Sequence, residues 1–473
     1  MSRAHPAGPL HGDLVTTSEV SAPPNTAVSA ELDPLTWSAN VARGESGQVT
    51  VAGIPVGELS DDYGTPLFVL DEADLRSRAR KYVEAFRGSA AEVDVYYASK
   101  AFLSSTVARW VTAEGMRLDV CTGGELALAL RSGVPGEQLL FHGNNKSAAE
   151  LDASLAAGVS RIVVDSFDEI EMLARIARER QVVAPVLVRV TLGVEAHTHE
   201  FIATAHEDQK FGFSLASGRA LQAVERVLAE EHLELVGIHS HIGSQIFVAS
   251  GFEVAAGRAA SFLAKIRDEY SVVIGELNLG GGLGIRYTAD DAPIDIGEMA
   301  PHLVELVASE CARRGFPMPR LAFEPGRAIV GPSTLTLYRV GTVKRRSLEG
   351  GGSRVYVSVD GGMSDNIRTA LYDADYTVTL ANRVSDAAAV RARVVGKHCE
   401  SGDIVVRNAW LPADIAPGDL LAVAATGAYN RSMASNYSLV TRPAVVSVAD
   451  GRSAVVLRRE TLDDLFATDP GLA

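Results

Sequence analysis

The sequence predicts an α/β protein, a (β/α)8 TIM-type barrel with a second, mostly β C-terminal domain. Three observations carry this. Eight apolar runs rich in Val, Leu and Ile are spread over residues 93–324. Stretches of helical periodicity lie between them. After about Gly331 the long helical stretches stop, while short strand-like runs continue. Near-continuous apolar strands are those buried on both faces, as in a parallel sheet closed by crossover helices.

In chain order, Met1 to Pro34 is rich in Ala, Pro, Ser and Thr. It lacks the basic and apolar regions of a signal peptide, so a poorly ordered extension is expected there. QVTVAGIPVGEL (48–59) has strand character. Residues 35–61 are therefore assigned to the β domain, which becomes discontinuous. The barrel is assigned residues 62–330, with EADLRSRARKYVEAF (72–86) as an amphipathic helix ahead of the first strand. Its strands are VDVYYAS (93–99), RLDVC (117–121), QLLFH (138–142), RIVVD (161–165), VLVRV (186–190), LELVGIH (233–239), ELNLG (276–280) and RLAFE (320–324). Helices are exemplified by SFDEIEMLARIARER (166–180) and GRALQAVERVLAEEH (218–232). Residues 331–473 complete the β domain through LTLYRVGTV (335–343), RVYVSVD (354–360), VRARVVG (390–396), DLLAVAATG (419–427) and PAVVSVAD (443–450). Gly- and Asp-rich turns separate these runs. A short helix is expected near RETLDDLF (459–466).

With 44 Lys and Arg against 59 Asp and Glu, the formal charge is −15. That balance argues against nucleic acid or an anionic membrane as partner. No run of ~18 uncharged apolar residues predicts a membrane span. Cys121, Cys311 and Cys399 form no zinc or disulfide pattern, which suits a reducing cytoplasm.

Barrel enzymes carry their chemistry at the C-terminal ends of the strands. The first strand ends at Lys100, either a surface lysine or a Schiff-base amine activated by desolvation. The sixth ends in HSHIGSQ (239–245), where His239 and His241 suit a metal pair, a ring stacked on a planar cofactor, or a structural polar cluster. HTHE (197–200) carries the same ambiguity. The seventh ends in NLGGGLG (278–284), a phosphate nest or an ordinary tight turn. The eighth ends in FEPGR (323–327), whose Glu324 and Arg327 form a surface ion pair or grip a ring nitrogen and an anion. In the β domain, KHCESGD (397–403) sets Cys399 beside Glu400 among polar neighbours, unlike a core cysteine. GAYNRSMASNY (427–437) supplies Tyr429 and Tyr437.

In this order, YYASK, HIGSQ, GGGLG, EPGR, CESGD and GAY resemble the pyridoxal-phosphate decarboxylases of the alanine-racemase-like fold, fold type III. The resemblance spans about residues 35–465. Within that family the pattern is most similar to the diaminopimelate branch, on the segment 193–215 and CESGD. It implies pyridoxal 5′-phosphate as cofactor, no metal, and decarboxylation of meso-2,6-diaminopimelate to L-lysine and CO2, the last step of lysine biosynthesis. Lys100 would bear the Schiff base and His241 would stack on the ring. Ser244, Gly281 and Gly282 would bind phosphate. Glu324 would pair with the ring nitrogen, followed by Pro325, Gly326 and Arg327 along the cofactor. Arg327, Arg368 and Tyr372 would bind substrate, and Tyr429 both cofactor and substrate. Cys399 would donate a proton and Glu400 would hold the distal ammonium, both reaching the site from the partner subunit of a homodimer. Asp119 and Glu125 would lie near the cofactor. A decarboxylase of lysine, ornithine or arginine and a non-catalytic homologue are the competing readings. The presence of Lys100, Cys399 and Glu400 argues against the latter.

Overall fold

A computed structural model of the chain describes residues 32–88, 92–194, 210–347 and 353–472. Two compact units emerge. One comprises Arg76–Gly284 and Ala292–Ile329, the other Met1–Leu75, Ile285–Asp291 and Val330–Ala473. The extension expected over residues 1–34 falls, up to residue 31, outside the described residues, as does HTHE (197–200).

The first unit is the barrel. Its strands are β1 (Val93–Ala98), β2 (Arg117–Val120), β3 (Leu139–Phe141), β4 (Arg161–Val164), β5 (Ala184–Thr191), β6 (Leu233–His239), β7 (Glu276–Asn278) and β8 (Arg320–Phe323). Each pairs in parallel with the next, and β8 pairs with β1 to close the ring. Tyr96, Leu140, Val163, Leu187 and Ala322, from five of these strands, pack as one buried cluster. Such a filled interior leaves the strand ends as the place for polar groups. Helices begin where Ser or Thr can cap them. Ser104, Thr122, Ser147 and Ser166 each accept from the backbone N–H three residues on, and Glu150 completes a capping box with Ser147. The helix after β8 is only Arg327–Val330, so the eighth repeat is cut short as the chain leaves the barrel.

The second unit is mostly β. Its long strand β9 (Thr334–Ser347) pairs with Leu67–Asp71, with β10 (Ser353–Val359) and with Leu420–Val423. Ala389–Val395 and Ile404–Pro412 extend the sheet on one side, Ala444–Ala449 and Arg452–Leu457 on the other. The sequence reading had no strand at Ile404–Pro412.

The domain boundary also differs from the sequence expectation. Leu67–Asp71 lies in this sheet, antiparallel to β9 and parallel to Ala444–Ala449, rather than in a barrel that starts at residue 62. LFVLD is buried at all five positions. An apolar run of that kind fits a barrel strand or a sandwich core equally well, so periodicity could not decide. Ile285–Asp291 joins the same unit. Strand character in 48–59 resolves into Val49–Val51 and Ile54–Pro55, with a helix from Val56 to Tyr63. Among the described residues, no helix is long and apolar enough to cross a membrane.

Candidate active site

At the barrel mouth, Lys100 sits in the turn Ser99–Ala101 that ends β1. It is exposed, and its charge shifts both Asp119 and His241. The Pro325 carbonyl accepts from the Ala98 N–H at 3.0 Å, which ties the buried segment Glu324–Arg327 to the strand that carries Lys100.

Glu324 is the centre of a polar cluster built from four strand ends. Oε1 accepts from Asn278 Nδ2 at 2.8 Å and lies 2.9 Å from His142 Nε2. His239 Nε2 is 3.4 Å from the carboxylate. Burial pushes the Glu324 carboxyl up, but His142 and His239 outweigh it and hold it well below the usual carboxylate range. Burial drives the His239 imidazole down to about 4, so it serves Glu324 near neutral pH as a hydrogen-bond donor rather than as a cation. Asp119 moves the other way, to about 6, through burial, with His142 opposing the rise and Glu324 adding to it. Two carboxyls in one buried cluster are thereby pushed apart, with Glu324 the anion. His142, His239 and Glu324 bring three ligand atoms within 4.8 Å of one another. Both imidazoles of that constellation hydrogen-bond Glu324, whereas His241 engages the Gly281 N–H.

His241 is held neutral by burial, then by the nearby Lys100 and Arg189 charges. Its Nδ1 accepts from the Gly281 N–H at 3.2 Å. The loop after β7 closes on its neighbours because it is glycine. A Cβ on Gly281 would sit 2.1 Å from the Glu324 carbonyl oxygen, and one on Gly282, at φ +117°, 2.2 Å from that of Gly243. Opposite lies Ser244, whose Oγ accepts from Arg327 Nη2 at 2.8 Å. Glu125 accepts from the Cys121 N–H at 2.7 Å and from its thiol at 3.2 Å.

In the β unit, Arg368 and Tyr372 share the short helix Arg368–Tyr372. Arg368 is buried and Tyr372 half-buried. Tyr429 stands at φ +69° two residues after Gly427. Cys399 is exposed and Glu400 half-buried on the loop between Ala389–Val395 and Ile404–Pro412. Buried Asp403 closes this loop, accepting from the N–H groups of His398 at 2.7 Å and Met363 at 2.6 Å. His398 Nε2 meets Ser364 Oγ at 2.8 Å, a second tie between this loop and the segment leading to Arg368.

Sequence reasoning passed over His142, Asn278 and Tyr376. A polar residue closing an apolar run, as in QLLFH, was the available signal for the first. The barrel set suits pyridoxal phosphate. Among the described residues no Lys or Arg makes an ion pair with Glu324, so its buried anion is left for a protonated ring nitrogen. A lysine, a neutral imidazole and a glycine loop beside Ser244 and Arg327 complete the donor set.

Residues 72–331 match the family described as "Pyridoxal-dependent decarboxylase, pyridoxal binding domain". A diaminopimelate decarboxylase of Mycobacterium tuberculosis (strain ATCC 25618 / H37Rv) is 58% identical over 442 residues, covering 93% of this chain and 98% of the relative. One of Bacillus subtilis (strain 168) is 46% identical over 425 residues, covering 90% and 96%. The crystal structure of diaminopimelate decarboxylase from M. jannaschii in complex with L-lysine superposes with a TM-score of 0.83 at 31% identity, covering 91% of this chain and 98% of that one. Identity of this order over nearly the whole length means that the chain belongs to the diaminopimelate decarboxylase family of pyridoxal-dependent decarboxylases.

Proposed function

We propose that this enzyme converts meso-diaminopimelate to L-lysine and CO2 with pyridoxal 5′-phosphate, and that it works as a cytoplasmic homodimer with shared active sites. The observation that carries the reading is the buried, ionised Glu324 at the mouth of a barrel whose first strand ends in Lys100. When bound, pyridoxal phosphate supplies the sink for the electron pair left on Cα as CO2 departs. Lys100 would hold the cofactor, and Glu324 would keep the proton on its ring nitrogen. Neutral His241 would face the ring without adding a positive charge. Ser244, Gly281, Gly282 and Arg327 would take the phosphate.

The other end of the substrate carries one ammonium and one carboxylate. Arg368, with Tyr372 and Tyr429, takes the carboxylate, and Glu400 the ammonium. Cys399 delivers a proton to Cα as general acid. Its exposure in the single chain supports a role in the site of a second copy. All three cysteines are free, and a reducing compartment would keep the Cys399 thiol available.

The test is lysine and CO2 formation from meso-diaminopimelate, with and without added cofactor, beside turnover of L-lysine and L-ornithine. Preference for either of the latter would sink the assignment. Lys100→Ala is expected to cut turnover by at least ~10³-fold. Mixing Lys100→Ala and Cys399→Ala proteins should restore activity in heterodimers. No recovery despite proven subunit exchange would refute the shared site.

A further inference from the structure

Arg368 is 4% exposed, and among the described residues no carboxylate pairs with it. Buried guanidinium groups ordinarily carry a partner that satisfies their charge. Half-buried arginines of the same unit show what such a partner looks like: Arg383 grips Asp414 and Asp419, and Arg407 grips Asp373 and Asp375.

Around Arg368 the partners are neutral. Nη1 donates to the Tyr376 hydroxyl at 2.6 Å. Cζ lies 4.8 Å from the Tyr287 ring centroid and 5.7 Å from that of Tyr376. The two rings meet edge to face at 5.2 Å and 80°. The Tyr376 hydroxyl in turn donates a hydrogen bond to Asn430 Oδ1 at 3.1 Å, and Asn430 is fully buried, next to Tyr429 in the chain. Thr377 Oγ1 donates to the Tyr287 carbonyl at 2.7 Å, which fixes the segment that brings Tyr287 in. Ring faces stabilise a cation without neutralising it. A hydroxyl on one nitrogen fixes the direction of the planar fork while leaving donors for an anion.

We propose that Tyr376, backed by Tyr287 and Asn430, is a specificity-determining positioning residue that orients Arg368 toward the substrate carboxylate remote from the reacting carbon. The inference rests on the reading of Arg368 given above. A phenol and two ring faces hold the guanidinium in place and keep its charge unspent, so a substrate with a second carboxylate is selected over one without.

The holoenzyme tests this with two inhibitors that differ by one carboxylate, L-lysine and 1,5-diaminopentane. For Tyr376→Phe, KM for meso-diaminopimelate and Ki for L-lysine should rise about ten- to a hundredfold, as expected for a lost hydrogen bond to a charged group. The kcat, the Ki for 1,5-diaminopentane and the cofactor absorbance should stay near wild-type values. In the Arg368→Ala background, adding Tyr376→Phe should change nothing further. If Arg368→Ala leaves KM unchanged, the reading of Arg368 falls and this inference with it. If Arg368→Ala raises KM while Tyr376→Phe does not, or if Tyr376→Phe weakens both inhibitors alike, the positioning role alone is overturned. Should Tyr376→Phe fail to fold, Tyr287→Leu carries the test and should move the same two constants.

Discussion

The barrel mouth and the β unit each bury a charge that, among the described residues, makes no ion pair with a Lys, Arg, Asp or Glu, and they hold it by different means. Glu324 hangs from the end of β8, and its donors His142, His239 and Asn278 hang from the ends of β3, β6 and β7. The parallel register of the barrel brings them together. Arg368, Cys399 and Glu400 lie on a short helix and a loop, and side-chain bonds position those segments. A strand-end site is redundant, since several strands must shift before one group moves. A loop site depends on single anchors such as Asp403 and Tyr376.

Three measurements probe that contrast. The largest effect is expected at the buried anion. Glu324→Gln keeps the shape but removes the charge that holds the ring nitrogen protonated, and kcat should fall about 10²–10³-fold. A loss under tenfold would mean that the ring proton is not held from here. A smaller effect is expected at the loop anchor. Asp403→Asn replaces one acceptor by a donor against a backbone N–H, so denaturant unfolding should report a loss of about 1–3 kcal/mol. The kcat should fall by roughly an order of magnitude with the cofactor still bound, because Cys399 is displaced. Unchanged kcat would show that the loop holds its shape without Asp403.

The smallest effect is the pH dependence of stability in the cofactor-free protein. His239 titrates at about 4 folded and near its ordinary value of about 6.5 unfolded. The unfolded chain therefore binds the extra proton between those values, and stability is lost as pH falls through that window. His241, also held low, acts in the same direction. Asp119, raised to about 6 in the fold, acts oppositely, because there the folded state binds more protons. Tm should therefore fall between pH 6.5 and 4, with a steeper fall in Asp119→Asn and a flatter one in His239→Gln. Parallel curves in all three proteins would mean that these groups titrate alike folded and unfolded.

The eight barrel strands were legible because burial on both faces leaves a continuous apolar run, and a polar residue closing such a run marks the mouth. Lys100, His241, Glu324 and Arg327 could be named for that reason. The boundary near residue 62 was misplaced because LFVLD carries the same pattern in another sheet. Tyr376 was missed because nothing in SDNIRTALYDADY separates it from Tyr372.

The sequence by itself therefore determined the barrel, the order of its motifs and the residues at its strand ends, since these follow from a local period of burial. Only the tertiary structure decided which groups are charged and what each one faces. Glu324 is the anion and Asp119 the raised acid because of the imidazoles around them. Arg368 stands uncompensated because Tyr287, Tyr376 and Asn430 arrive from three separate segments. Protonation of the barrel cluster depends on neighbours distant along the chain, and the short link from Arg368 to Tyr376 is completed only by Tyr287 and Asn430 from elsewhere, so no local pattern records either.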